Sequence, residues 1–170
     1  LSTIIGQDGQ KQVIFAINRA AEHEGITPGM PLTHARAIVP DIAVAPHEPE
    51  QDAAALRRLA LGCLRFSPLV APAPPDGVWI DATGVAHLFG GEQAMLERIQ
   101  HLLRRSGLTA QVAMAGTPGA AWAWSRYGQA PITLSTSIDE VNQLPVSALR
   151  IGPDVADVLW RLGVKFIADL

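Results

Sequence analysis

The sequence holds a single cysteine, Cys63, so it has no internal disulfide. It sits in a helical apolar stretch and reads as a buried structural thiol. No run of about eighteen apolar residues is present, which argues against a membrane-spanning helix, and no signal-peptide pattern opens the chain. There is no basic excess either. Thirteen Lys and Arg against sixteen Asp and Glu leave a net charge of −3. A domain that holds DNA alone neutralises phosphate with a cationic surface, so nucleic-acid contact here is expected to be local, weak or assisted by other parts. His23, His34, His47, His87 and His101 have no metal-ligand spacing, and no metal site is expected from them. Internal repeats and low-complexity segments are also missing.

What is abundant is apolar material, 48% of 170 residues, enough for one domain core or one domain plus a piece. The chain opens at Leu1 on a strand-like stretch and stops inside a helical pattern. It reads as a piece of a longer protein, cytoplasmic and not membrane-bound.

Two β-rich stretches, "STIIG" and "QVIFAIN", flank Asp8-Gly9, a hairpin signal. A short helix Arg19–Glu24 stops at Gly25. Thr33 is placed to cap a helix over His34–Val39, and "DIAVAP" is a brief strand. Asp52 is placed to cap a longer helix with the stripe Ala55, Leu56, Leu59, Ala60, Cys63 and Leu64. "SPLVAPAPPDG" reads as a loop leading to the strand "VWIDAT". The next helix, Glu92–Ser106, carries the stripe Met95, Leu96, Ile99, Leu102 and Leu103. "LTAQVAMAG" is a strand, Thr117-Pro118 starts a helix that runs to Gly128, and "PITL" is a short edge strand. The last segment reads as helix, turn at Gly152-Pro153, helix.

Helix and strand alternate from Asp52 to Leu134. The expected fold class is therefore α+β, a ferredoxin-like palm whose sheet has helices on one face. A small mixed unit, Leu1–Gln51, precedes it, and helical residues follow from Ser137.

"NRAAEHEGITPGMPLTHARAIVPDIAVAP" resembles the fingers of Y-family (UmuC/DinB-like) translesion DNA polymerases. "RFSPLVAPAPPDGVWIDATGVAHLFGG" resembles their central palm, "GLTAQVAMAGTPGAAWAWSRYG" the next strand and helix, and "LPVSALRIGPDVADVLWRLGVKFIADL" the start of the thumb. These matches run in family order over almost the whole chain. Their wording is closest to the non-catalytic ImuB-type branch. The resemblance implies fingers over 1–51, palm over 52–136 and the beginning of a helix-hairpin-helix thumb over 137–170.

It also implies where catalytic groups belong. The family's Asp-Glu pair falls on Asp76-Gly77, so the Asp position is kept and the Glu position is Gly77. The positions that hold the incoming triphosphate fall on Arg19 and Glu22, in place of a Tyr and an Arg, and on Trp122, in place of a Lys. Phosphate binding needs donors and positive charge, which Glu22 and Trp122 do not supply. Two-metal phosphoryl transfer needs bridging carboxylates around ions about 3.5–4 Å apart, and magnesium is poorly held by one carboxylate. The catalytic and nucleotide sites therefore read as altered, with no cofactor.

Three other strings need weighing. "SIDE", Ser137–Glu140, spells the family's active-site letters away from their place. Ser137 with Glu140 three residues on is a capping box, a structural role. "FGGEQ" at Phe89–Gln93 has a faint likeness to the nucleotide-cyclase turn, but Gly90-Gly91 leads straight into a helix, where Glu92 complements the dipole. "LRIGPDVADVL" resembles the thumb turn that offers backbone N–H groups to a DNA phosphate, with Gly152 as the candidate contact. Asp154 and Asp157 oppose that role.

The resemblance implies a non-catalytic scaffold in DNA repair, translesion synthesis and damage-induced mutagenesis. Its partners would be DNA, the replicative sliding clamp, a RecA-like accessory protein and an error-prone replicative-type polymerase. The rival is an active Y-family polymerase that uses Mg and carries its catalytic Asp strand upstream of this segment.

Overall fold

The computed structural model describes residues 2–8 and 11–170, with the side chains of Gln7, Asp8 and Arg19 outside the description. The turn expected at Asp8-Gly9 falls partly beyond it. The chain divides into two compact units. The first holds residues 1–58 and 74–77, and the second 59–73 and 78–170.

In the first unit, β1 (Ser2–Asp8) pairs antiparallel with β2 (Lys11–Ile17) and parallel with β3 (Ala43–Pro46), in the order β2-β1-β3. The register shifts between Ile4 and Ile5, a bulge in the central strand. Two short helices follow β2. Helix α1 (Arg19–His23) is capped by Asn18, whose side-chain oxygen accepts from the Ala21 N–H at 3.0 Å. Helix α2 spans Leu32–Ile38, so it begins before Thr33, the expected cap. The Pro31 carbonyl accepts from His34 and Ala35 instead, because burying Leu32 and Ala35 requires both inside the helix. Ile14, Ala21, Ile26, Leu32, Ala35 and Ile42 form the core.

Helix α3 (Pro49–Cys63) starts three residues before the expected cap, Asp52. Pro49 fits the first helical position because its fixed φ is already helical and its missing N–H is not needed. Glu50 and Asp52 then lie in the first turn, where the dipole favours acids. Along α3, Leu56, Ala60 and Cys63 are buried as expected, while Ala55 and Leu64 are exposed. Burial raises the Cys63 thiol's pKa against the opposing charge of Arg65.

In the second unit, Val70–Ala73 forms a strand, β4, where a loop was expected. It pairs with β5 (Gly77–Ile80). Two prolines at Pro68 and Pro72 suggest a loop, yet a strand at the margin of a small sheet tolerates residues without an N–H. Helix α4 (Glu92–Arg105) buries Met95, Leu96, Ile99 and Leu103, four of the five expected, plus Gln100. The Gln100 side-chain N–H donates to the Ala110 carbonyl at 3.2 Å. Strands β6 (Val112–Met114) and β7 (Ile132–Leu134) pair in parallel, joined by α5 (Pro118–Tyr127). Thr117 caps α5 through the Ala120 N–H, with Pro118 at the first turn, as the sequence indicates. Cys63, Phe66, Met95, Ile99 and Leu103 make one core; Ala123, Leu144 and Ala148 make another.

The chain ends with 3-10 turns over Ile138–Gln143, Val146–Leu149 and Ile167–Asp169, and with helix α6 (Pro153–Arg161). Among the described residues, no helix is long and apolar enough to cross a membrane.

Candidate nucleotide and DNA site

The carboxylate position lies where β4 turns into β5. Asp76 is exposed in the turn and Gly77 is the first residue of β5. Glu22 lies exposed in the first turn of α1. Arg19 begins α1, but its side chain is outside the described residues. Among the described residues, no three His, Cys, Asp or Glu side chains gather as a metal-holding group. Magnesium in phosphoryl-transfer sites is held by one or two carboxylates together with substrate phosphates, and Asp76 is the carboxylate that the resemblance places at this turn.

Trp122 lies in α5, and the residues around it were not legible beforehand. Trp122 and Trp124 are two apart on a helix, a spacing that directs them to different sides. Both are half-buried and both pack on the cluster of Ala123, Leu144 and Ala148. Ala123 is the reason. It is small and faces the cluster, so the two indoles pass on either side of it. The Arg150 guanidinium lies 4.6 Å from the Trp122 ring centroid, and that of Arg126 lies 5.9 Å from it. The Tyr127 ring is 6.1 Å away, and its hydroxyl donates to the Ser147 carbonyl at 3.3 Å. Trp122 supplies no positive charge, but it gathers guanidinia by cation–π attraction. The Trp122/Arg126 pair has i,i+4 spacing, a signal available in the sequence. Arg150 had none.

At the thumb-like turn, Gly152 has φ −62° and precedes α6, with Pro153 at the first turn and no side-chain cap. A Cβ at Gly152 would meet nothing within 4 Å. The left-handed residue is Arg150, at φ 61°, a conformation few non-glycine residues adopt.

The literal "SIDE" string caps a 3-10 turn. The Ser137 hydroxyl accepts from the Asp139 N–H at 3.2 Å, one residue earlier than in an α-helical box because the turn is tighter. The Glu140 carboxylate accepts from the Thr136 hydroxyl at 3.2 Å. The Ser135 hydroxyl holds its pKa below the ordinary 4.5, with further donors at Thr136 and Ser137 and burial opposing. A carboxylate with a lowered folded-state pKa adds stability above its ordinary pKa and loses it as pH falls through the lowered value. Melting temperature should therefore fall on acidification below 4.5, and Glu140→Gln should flatten part of that fall. Identical pH profiles for the two proteins in thermal melts would contradict the assignment.

The Asp81 carboxylate accepts from the Thr83 N–H at 2.9 Å, a turn cap. Gly90 and Gly91, at φ 92° and 111°, lead directly into α4 with Glu92 in its first turn. A ring pair was not anticipated: the exposed Phe15 on β2 stacks on the half-buried His47, with centroids 3.6 Å apart.

The family model described as "impB/mucB/samB family" matches residues 1–126. The chain belongs to the impB/mucB/samB family. ImuB from Caulobacter vibrioides is 44% identical over 150 residues, covering 86% of this chain and 32% of that protein. DNA polymerase IV from the same organism is 29% identical over 177 residues, covering the whole chain and 44% of the polymerase. Among solved structures, DinB from Sulfolobus solfataricus superposes with a TM-score of 0.78 at 19% identity, covering 99% of this chain and 51% of that one. The insertion ternary complex of Dbh DNA polymerase gives 0.79, also at 19% identity and 99% coverage, over 52% of its chain. At that identity the likeness speaks for the fold, the mixed α+β architecture of Y-family polymerases. The impB/mucB/samB segment seen here spans about a third of the length of ImuB.

Proposed function

We propose that this impB/mucB/samB segment belongs to a protein that serves DNA damage tolerance as a polymerase-shaped scaffold and does not polymerise. The observation that carries the reading is the turn into β5, where Asp76 is followed by Gly77. One carboxylate there supplies fewer ligands than a two-metal centre requires. Glu22 and Trp122 support it, because neither offers a cation to a triphosphate at the positions the resemblance assigns. The 44% identity to ImuB favours the same branch. On this reading residues 1–51 are fingers, 52–136 palm and 137–170 the start of a thumb. Gly152 is a candidate backbone contact to DNA. The sliding clamp, a RecA-like accessory protein and an error-prone replicative-type polymerase would engage the whole protein, in the cytoplasm.

A second reading, an active magnesium-dependent error-prone polymerase, is favoured by the match of the entire chain to DNA polymerase IV. Primer extension separates the two. The full-length protein should incorporate no nucleotide on a primed template with magnesium or manganese. Template-directed incorporation that disappears in Asp76→Ala would overturn the scaffold reading.

A further inference from the structure

We propose that the exposed leucines Leu61, Leu64, Leu69 and Leu88, with Arg65 and Arg98 beside them, form a docking surface for an acidic, amphipathic segment of a partner protein. All six residues lie within the second unit. The four leucines are between 46% and 69% exposed. Leu61 and Leu64 are three apart where α3 ends, and the Leu64 N–H donates to the Leu61 carbonyl at 3.2 Å, so they share one side of that turn. Cys63 and Phe66 turn the other way, into the core. The Phe66 ring lies 5.6 Å from that of Phe89, the residue after Leu88 in the 3-10 turn Ala86–Phe89. Leu69 is tied to the same region by the Asp81 N–H, which donates to its carbonyl at 3.0 Å at the head of the segment leading to Leu88. Single exposed leucines are ordinary on a protein surface. Four tied to one ring contact make a patch, and such patches mark interaction sites.

Charge says what fits there. Residues 61–69 and 84–91 contain no Asp or Glu, and their basic side chains are Arg65 and His87. Arg98 on α4 adds a guanidinium 5.8 Å from the Phe89 ring centroid. The Arg65 Nε donates to the Gly62 carbonyl at 3.0 Å, which leaves its other N–H groups for a further acceptor. The acids nearest in the chain are engaged locally. Asp81 accepts from the Thr83 N–H, Glu97 from the Gln93 side chain at 3.0 Å, and Glu92 complements the dipole in the first turn of α4. The surface thus combines bare leucines with unneutralised cations, in a chain of net charge −3. A second copy of this chain fits it poorly, because a self-paired patch meets its own cations and brings no acid. Duplex DNA would meet the guanidinia but leave the leucines against phosphate and water. A protein segment with an apolar stripe between carboxylates satisfies both the leucines and the arginines. The proposal goes beyond the scaffold reading and holds equally for an active polymerase.

The experiment uses the full-length protein and three fluorescent helical peptides. One has leucines at i, i+3, i+4 and i+7 flanked by glutamates. The second has lysines in place of the glutamates, and the third has serines in place of the leucines. Anisotropy titrations compare the parent with Leu64→Ser, Leu88→Ser and Arg98→Glu. The glutamate peptide should bind the parent about tenfold more tightly than either of the others. Each leucine variant should weaken that binding about tenfold, because burying one leucine is worth at least that factor. Arg98→Glu should weaken the glutamate peptide and strengthen the lysine peptide, a reversal that a misfolded surface does not give. Melting temperatures should stay at the parent's, and the Arg98→Glu reversal decides the matter if a leucine variant melts early. Equal binding of the three peptides, or glutamate-peptide binding untouched by all three substitutions, would overturn the proposal. So would sedimentation of the parent as a dimer that Leu88→Ser dissociates, which assigns the surface to a second copy. Displacement of the glutamate peptide by duplex DNA assigns it to nucleic acid and overturns the proposal too. Primer extension by the full-length protein would remove the scaffold reading and leave this one standing.

Discussion

Met95→Ala should destabilise the second unit by about 2–5 kcal/mol, the range for truncating a fully buried large aliphatic side chain. Met95 is 0% exposed. It sits in the first half of α4, in one cluster with Cys63, Phe66, Ile99 and Leu103, against which Val78 and Ile80 of β5 and Val112 and Met114 of β6 also pack. Shortening it opens a void that touches helices and strands at once, and close-packed walls collapse into such a void only partly. For a chain of this size each kcal/mol shifts the melting temperature by about 2–4 °C. Leu88→Ala is the control: Leu88 is 69% exposed, so its loss should be nearly neutral. Ile80, by its sequence pattern a core strand residue, is only half-buried and should cost less than Met95. Thermal or urea melts that rank Leu88 or Ile80 above Met95 would contradict this picture of the core.

Much of this was written in the sequence, and the reasons differ by element. Helix α4 was legible because it is long and its apolar residues recur on one face, so period and burial agree. The start of α5 was legible because Thr-Pro fixes both the cap and the first-turn dihedral. Where local signals competed, the sequence misled. The prolines around Val70 and the good capping chemistry of Thr33 and Asp52 pointed to a loop and to later helix starts. Packing of Leu32 and strand pairing of Val70–Ala73 outweighed them. The candidate site divides along the same line. Asp76, Gly77, Glu22 and Trp122 follow from residue-by-residue resemblance. The cation–π approach of Arg150 to Trp122 joins residues 28 positions apart, with Arg150 itself in a left-handed conformation, and no periodicity reports such a contact. Phe15 and His47, brought together by β1 running between β2 and β3, were hidden for the same reason.

Gly128 lies just past α5 and Gly119 in its first turn, and alanine at the two should act in opposite directions. Gly128 is buried just past α5, with φ −65° and ψ 146°, a conformation open to any residue, so backbone freedom does not explain it. Space does. A Cβ there would lie 2.5 Å from the Trp124 carbonyl oxygen, 3.3 Å from the Thr133 hydroxyl and 3.4 Å from the Trp124 ring. That carbonyl accepts from the Gly128 N–H at 2.9 Å and closes the helix, so it cannot withdraw without opening the last turn. On the other side, the Gly128 carbonyl accepts from the Gln111 side chain at 3.2 Å, next to where β6 begins. A shift that makes room at Gly128 therefore disturbs both the end of α5 and the approach to the β6–β7 pair. Gly128→Ala should cost about 1–3 kcal/mol or more, the range for overpacking. Gly119 lies inside α5 with nothing within 4 Å of an added Cβ and no positive φ. There alanine should gain roughly 0.5–1 kcal/mol, because glycine pays more conformational entropy in a helix. Paired melts decide it. A Gly128→Ala protein as stable as its parent would mean that the close approach to Trp124 does not hold this corner, and a Gly119→Ala protein that loses stability would mean that α5 does not begin where Thr117 caps it.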